Sequence, residues 1–276
     1  MAIEQQRTQA NADSLDMSGW EVPQYETHEF ATRSSDYCVV IPVINEGEKI
    51  GRLLDRMQRL DIARLADIII VDAGSTDGSL EHSRLTARQV RTLLVKLGAG
   101  KLSAQLRCAY AYALIQGYQG IVTIDGNDKD DPEAIPRQLD DLRSGVDFVQ
   151  ASRFVAGGVA ENTPASRLLA IRWLHAPLLS LASGFHWTDT TQGFRGYSRR
   201  LLLDQRVRPF RSIFSTYELL AYLSYRAPRL GFVCKESPST RRYPATGKVP
   251  TKISPLRGNW TVFKILLAAC LGRYNP

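Results

Sequence analysis

The run Asp125-Gly-Asn-Asp-Lys-Asp130 follows a short apolar stretch that ends at Ile124. Asp125 and Asn127 stand two apart, so on an extended segment their oxygen-bearing side chains point to one side and can share a hard divalent cation. Mg²⁺ or Mn²⁺ binds carboxylate, amide and phosphate oxygens, and it neutralises the charge that grows on a departing diphosphate. Asp128 and Asp130 can assist, directly or through water. The alternative is a solvated turn, with Asp131-Pro132-Glu133 as a helix-start signal capped by Asp131.

A second acidic turn, Asp72-Ala-Gly-Ser-Thr-Asp77-Gly, pairs glycines that permit tight geometry (Gly74, Gly78) with Asp77 as a helix cap, and it leaves Asp72 to meet the base or ribose of a nucleotide. Gly98-Ala-Gly-Lys101 lacks the leading glycine and the trailing hydroxyl of a Walker loop, since Leu102 follows. Lys101 is then either a phosphate contact at a helix N-terminus or a solvated lysine. Arg153, Arg167 and Arg172 flank or lie on one helical stretch, and Arg241-Arg242-Tyr243 with Lys248 and Lys252 read as a mobile basic loop. Guanidinium forks match phosphate oxygens. His82, His175 and His186 fall in no hydrolase pattern and read as structural.

These residues must be held by something, and the chain supplies short β-branched runs alternating with amphipathic stretches, as in βαβ units around a mainly parallel sheet. Strands are predicted at 37–43, 67–72, 92–96, 120–125 and 147–152, and helices at 48–60 and 102–116. Their continuous apolar character implies burial on both faces. Ligands of such sheets sit beyond the carboxyl ends of the strands. There the sequence places Pro42 with Asn45-Glu46, Asp72, Asp125–Asp130 and Ser152-Arg153. After Gly157-Gly158 come an apolar helical stretch over 168–185 interrupted by Pro177, a loop and strand over 188–200, and a helix over 217–231.

The 276 residues and 44% hydrophobic content suffice for one substantial core. The net charge of +7 is uneven. Residues 1–150 carry 16 basic and 23 acidic side chains, whereas 151–276 carry 19 and 5, a net +14 that favours anionic partners. Four scattered cysteines suggest neither a zinc site nor a disulfide framework, and fit a reducing, cytoplasmic setting. The polar start, residues 1–35, reads as a flexible arm without a secretory signal.

VVIPVINE, IIIVDAGSTDGS, IDGNDKDDPE, ASRFVAGG and TDTTQGFRGYSR are co-linear. Together they resemble the motifs of family-2 glycosyltransferases of GT-A fold, and among them the polyprenyl-phosphate sugar transferases typified by dolichyl-phosphate mannose synthase. The resemblance covers roughly residues 36–255. It implies an α/β, Rossmann-like GT-A domain with a mainly parallel sheet flanked by helices. That single domain would span 36–255, have a basic C-terminal acceptor side, and be followed by an amphipathic segment at 256–276.

The resemblance further implies a nucleoside-diphosphate sugar donor and a Mg²⁺ or Mn²⁺ held by Asp125 and the residue at Asn127, to which the acidic loop itself adds Asp130 as a third candidate ligand. The donor is expected against Pro42, Asn45, Glu46, Asp72, Lys101, Asp125, Gly126, Asn127, Arg241 and Lys248, with the 241–252 loop closing over it. Arg153 and Arg167, with Arg172 nearby, are expected to grip an acceptor phosphate. Three positions depart from the family pattern: Asn127 replaces an aspartate, Lys129 a glutamine, and Ala73 an acid. A phosphate acceptor attacks without a general base and gives inversion. A sugar hydroxyl needs a base, for which Asp189 and Glu218 are the candidates. Asp125, Arg153, Asp189 and Glu218 thus form the catalytic set.

No apolar stretch reaches the ~20 residues of a spanning helix. The stretches 173–185 and 260–271 suggest peripheral attachment to the inner face of a membrane. Transfer to a growing saccharide, and a catalytically silent nucleotide-sugar-binding protein, are the rival functions. Nucleic acid is not among the partners, since no helix-turn-helix, zinc or aromatic RNA-binding signature occurs; a second copy of the chain is.

Overall fold

The structure, a computed structural model, describes residues 15–245 and 257–276. Ten strands are described among them: β1 (Tyr25–Glu29), β2 (Tyr37–Val43), β3 (Asp67–Asp72), β4 (Val90–Lys96), β5 (Gly120–Thr123), β6 (Phe148–Ser152), β7 (Val159–Glu161), β8 (Arg195–Ser198), β9 (Cys234–Pro238) and β10 (Thr240–Arg242). Eight form one sheet in the order β1-β4-β3-β2-β5-β8-β6-β9, and β10 pairs with β7 in a separate two-stranded ribbon. β1 is antiparallel to β4, and β8 is antiparallel to both its neighbours; the remaining pairings are parallel.

The apolar runs form strands because each can be buried on both faces. Cys38 and Val40 of β2, with Ile69 and Val71 of β3, meet one layer of helices, Leu102–Ile115 and Glu218–Arg229. Val39, Ile41 and Val43, with Ile68 and Ile70, meet the other, Glu48–Arg59 and Ile135–Arg143. This is the two-residue period of a strand read against two helical layers. Full burial of each such side chain contributes about 1.5–3 kcal/mol.

Three boundaries differ from the sequence reading. β5 stops at Thr123, so Asp125 lies in the loop beyond it. The 168–185 stretch begins earlier, as the helix Ala165–Ala170. It passes through a wider turn at Ile171–His175 and continues as the helix Ala176–Ser183, with Pro177, which lacks an N–H to donate, directly after the wider turn. Residues 15–35 are not a free arm. β1 caps the β4 edge, Phe30 N donates to Arg91 O, and Asp67 accepts from Ser34 N, Ser35 N and the Tyr118 hydroxyl. Residues 1–14 lie outside the described residues.

The C-terminal segment forms the helix Arg257–Cys270. Ile265, Leu266 and Ala269 are buried, and this helix packs against Glu218–Arg229 and Ala176–Ser183.

Candidate active site

The parallel strands β2, β3, β4, β5 and β6 deliver their carboxyl ends to one edge, and antiparallel β8 starts there. The first loops at this edge are self-supporting. Asp72 accepts from Gly74 N, Ser75 N and Ser75 Oγ, so its carboxylate is engaged in the turn rather than turned outward to a base or ribose. Asn45 joins the two loops, its Oδ1 accepting from Thr76 N and its own N–H donating to Ser75 Oγ. Asp77 holds Gly47 N and Ser79 N, bracing loops rather than capping a helix. Glu46 pairs with Lys49. Pro42 lies within β2, and Gly126 packs against it: a Cβ there would lie 3.1 Å from Pro42 O.

Lys101 is placed differently from the phosphate-contact reading. The N–H groups of Lys101 and Ser103 donate to Ser215 O and Thr216 O, so two of the backbone donors around the start of Leu102–Ile115 are already used. The side chain of Gln105 on that helix bridges Val43 O and Val71 O, tying the helix to the ends of β2 and β3.

The acidic loop after β5 is the electrostatic centre. Asp130 is fully buried, and its Oδ2 accepts from Arg241 Nη1 at 2.6 Å. Asp125 Oδ2 accepts from both terminal nitrogens of the same guanidinium at 3.4 Å. Burial pushes the Asp130 carboxyl up to about 6; the Arg241 charge opposes that shift and Asp125 adds to it. Asn127 faces inward to its own loop. Its Nδ2 donates to Asp125 Oδ2 and its Oδ1 accepts from Lys129 N. Asp128 and Asp131 are held by Arg52, Arg56 and Arg242, and Asp131 also receives Glu133 N as the expected cap.

Arg241 and Arg242 therefore belong to a strand, not to a mobile loop. β10 is locked to the acidic loop through Arg242 N to Lys129 O and Asp131 N to Thr240 O. Lys248 and Lys252 lie outside the described residues. Tyr243 organises three cations. Its hydroxyl accepts from Arg167 Nη1 at 2.8 Å and Arg241 Nε at 3.3 Å, while Lys129 Nζ stands 5.4 Å from its ring centroid. Burial would raise this phenol's pKa, but Arg241 and Arg167 together hold it below the ordinary tyrosine value.

Arg153 and Asp189 are brought together, though not in the roles expected of them. They form a two-pronged ion pair with side chains 1% and 0% exposed, so Arg153 is not an open phosphate ligand and Asp189 is not a free base. Arg153 also reaches Thr191 Oγ1, and its Nη1 is buried without a partner. Glu218 accepts from Thr216 N and Thr216 Oγ1, which closes the turn leading into its helix. Arg172 is exposed and stacks over Phe154.

Three residues escaped the sequence reading. Burial raises the pKa of Tyr217, and the charge of Asp125 adds to the shift. Glu236 on β9 accepts from Thr188 N and Asp189 N and so sets the loop that carries Asp189. Gly193 stands against Asp125: a Cβ there would lie 2.3 Å from Asp125 Oδ1. Only Gly193 carried a local signal, the Gln-Gly step just before β8.

The donor set does not fit a divalent ion as arranged. Oδ2 of Asp125 and Oδ2 of Asp130 both accept from Arg241, and Asn127 turns its oxygen to the backbone. Among the described residues no three His, Cys, Asp or Glu side chains gather as a metal group. Asp130 Oδ1 is buried without a partner, but one oxygen is not a ligand set.

Comparison with known proteins adds to this geometry. The Glycosyl transferase family 2 profile matches residues 38–204. The chain is 30% identical over 203 residues to the undecaprenyl-phosphate mannosyltransferase of Micrococcus luteus, covering 73% of this chain and 81% of that protein. It is 29% identical over 240 residues to the dolichyl-phosphate hexose transferase of Haloferax volcanii, covering 86% and 94%. Glucosyl-3-phosphoglycerate synthase from Mycobacterium tuberculosis, solved with Mn²⁺, UDP and glucosyl-3-phosphoglycerate, superposes with a TM-score of 0.60 at 17% identity, over 87% of this chain and 80% of that one. That likeness shows the fold, which is GT-A.

Proposed function

The chain belongs to glycosyl transferase family 2, and from that premise we propose that it moves a sugar, with inversion, from a nucleoside-diphosphate sugar to a polyprenyl phosphate or related lipid-linked acceptor. One observation carries the acceptor class. Leu169, Trp173 and Leu181 are 59%, 78% and 86% exposed and recur at four- and eight-residue steps along the helical run that also bears Arg167. A phosphate-binding cation beside an exposed apolar stripe suits a ligand that is anionic at one end and a hydrocarbon at the other. The names of relatives that act on undecaprenyl and dolichyl phosphates support the same class.

Among the described residues no helix is long and apolar enough to cross a membrane. The stripe, with Trp260 at 57% exposure on the C-terminal helix, supports peripheral attachment to a membrane surface.

The chemistry follows from what the side chains can do. An acceptor phosphate is already an anion, so its oxygen attacks the anomeric carbon as the bond from that carbon to the diphosphate oxygen breaks. The electron pair leaves with the nucleoside diphosphate, and the configuration inverts. No proton has to be removed, which agrees with Asp189 being tied to Arg153 and Glu218 to Thr216. Arg167 orients the incoming phosphate, and Arg241 and Lys129 face the departing one. A Mg²⁺ or Mn²⁺ at Asp125 is the competing arrangement.

The test is product analysis with UDP- and GDP-sugars and short polyprenyl phosphates. An acid-labile lipid-phosphate sugar of inverted anomeric configuration is expected. A stable glycosidic bond to a saccharide acceptor would overturn the reading.

A further inference from the structure

We propose that the positive charge facing the donor diphosphate is built into this chain, on Arg241 and Lys129, and that nucleotide binding requires no divalent ion. The proposal rests on the donor reading above and concerns what neutralises that donor. Arg241 bridges Asp130 and Asp125 as a bound cation would, with nitrogens 2.6 and 3.4 Å from the two carboxylates. Its position is fixed by the main chain, because β10 is hydrogen-bonded to the acidic loop on both sides of Arg241 and forms a bridge from Arg241 to Asp130. A guanidinium anchored in this way is a permanent resident of the site.

The surroundings agree. Arg241, Arg167 and Lys129 gather around Tyr243, with ring-centroid distances of 5.8, 5.4 and 5.4 Å. A dication added here would face three positive side chains with only Asp125 and Asp130 to balance them, and a bound dication is the largest local charge in any site it enters. Asn127 offers an oxygen already bonded to Lys129 N. The same positions that remove a carboxylate, Asn127, and add an ammonium, Lys129, thus shift the loop from holding a metal to holding a diphosphate directly. Fixed cations aimed where charge develops stabilise a leaving group as a metal would, without reorganising.

The experiment measures UDP and GDP binding to the full chain by calorimetry, in EDTA and in Mn²⁺. The expected result is a Kd that agrees within about threefold between the two conditions, and that weakens ~10-fold or more in EDTA for Arg241→Met. Because that variant leaves two carboxylates unpaired, Lys129→Gln is the companion: it keeps the Arg241–Asp130 pair and is also expected to weaken binding in EDTA. Asn127→Asp combined with Lys129→Gln is expected to create Mn²⁺ uptake, seen by electron paramagnetic resonance, that the parent chain lacks. Loss of parent-chain binding in EDTA by ~10-fold or more, restored by Mn²⁺ or Mg²⁺, overturns the proposal. Binding of neither nucleotide under either condition overturns the donor reading, and the proposal with it.

Discussion

Arg153 and Asp189 lock together out of solvent, Nε to Oδ2 at 2.7 Å and Nη2 to Oδ1 at 3.0 Å, across 36 residues of chain. A buried guanidinium stripped of its partner retains its desolvation cost. Asp189→Ala is therefore expected to lower stability by about 3–5 kcal/mol in urea unfolding. Replacing both at once, Arg153→Met with Asp189→Leu, is expected to recover most of that loss. Additive losses would show that the pair is not the unit holding this loop.

Gly193 makes room for Asp125. Gly193→Ala introduces a carbon 2.3 Å from Asp125 Oδ1, so either the carboxylate or the loop must move. Asp125 helps to hold Arg241 in place, and a misplacement of about 1 Å in a site costs on the order of 100-fold in rate. A fall of that size in kcat/KM, with an unfolding midpoint close to that of the parent, is the expected outcome of steady-state kinetics.

Glu236 supplies a pH dependence. Burial raises its carboxyl above the ordinary value of 4.5, against the pull of its bonds to Asp189 N and Thr188. The native state then holds this proton more tightly than the unfolded chain. Its contribution to stability is complete below pH 4.5 and is lost as pH rises through the elevated value. Urea titrations across this window should show a negative slope of stability with pH that flattens in Glu236→Gln.

Trp173 stands 78% exposed on the helical run that carries Arg167. Trp173→Ala, and more strongly the pair Leu169→Ala and Trp173→Ala, are expected to reduce co-sedimentation with phosphatidylglycerol vesicles several-fold at low salt while leaving the unfolding midpoint in place. Unchanged co-sedimentation would move the lipid contact elsewhere, with Trp260 the next residue to test.

The strands were legible in the sequence because each is an apolar run buried on two sides, and the loops after them because dense polar residues follow each run at the carboxyl ends of the strands. β1 was not legible: YETHE has the polar composition of an edge, and it is a strand only because the β4 rim is beside it. The site residues were legible by type and not by partner. Asp125 and Arg241 lie 116 residues apart, and nothing local in either predicts that one would occupy the other's oxygens. Asp189 and Glu218 looked like bases because a carboxylate in a loop or at the first position of a helix reads the same whether it is free or already engaged. Arg241-Arg242 looked like a loop because three residues are too few to show a period, and β10 is held by partners distant in sequence, β7 and the acidic loop.

The placement of β1 and β9 bears on how this chain can be shortened. The family-matched span, residues 38–204, leaves out both of the strands that close the large sheet. A fragment cut to that span would bare one row of unpaired amides and carbonyls along β4 and another along β6. Two open rims of strongly apolar strands invite strands from other molecules, so such a fragment would stack into aggregates instead of folding as a smaller enzyme.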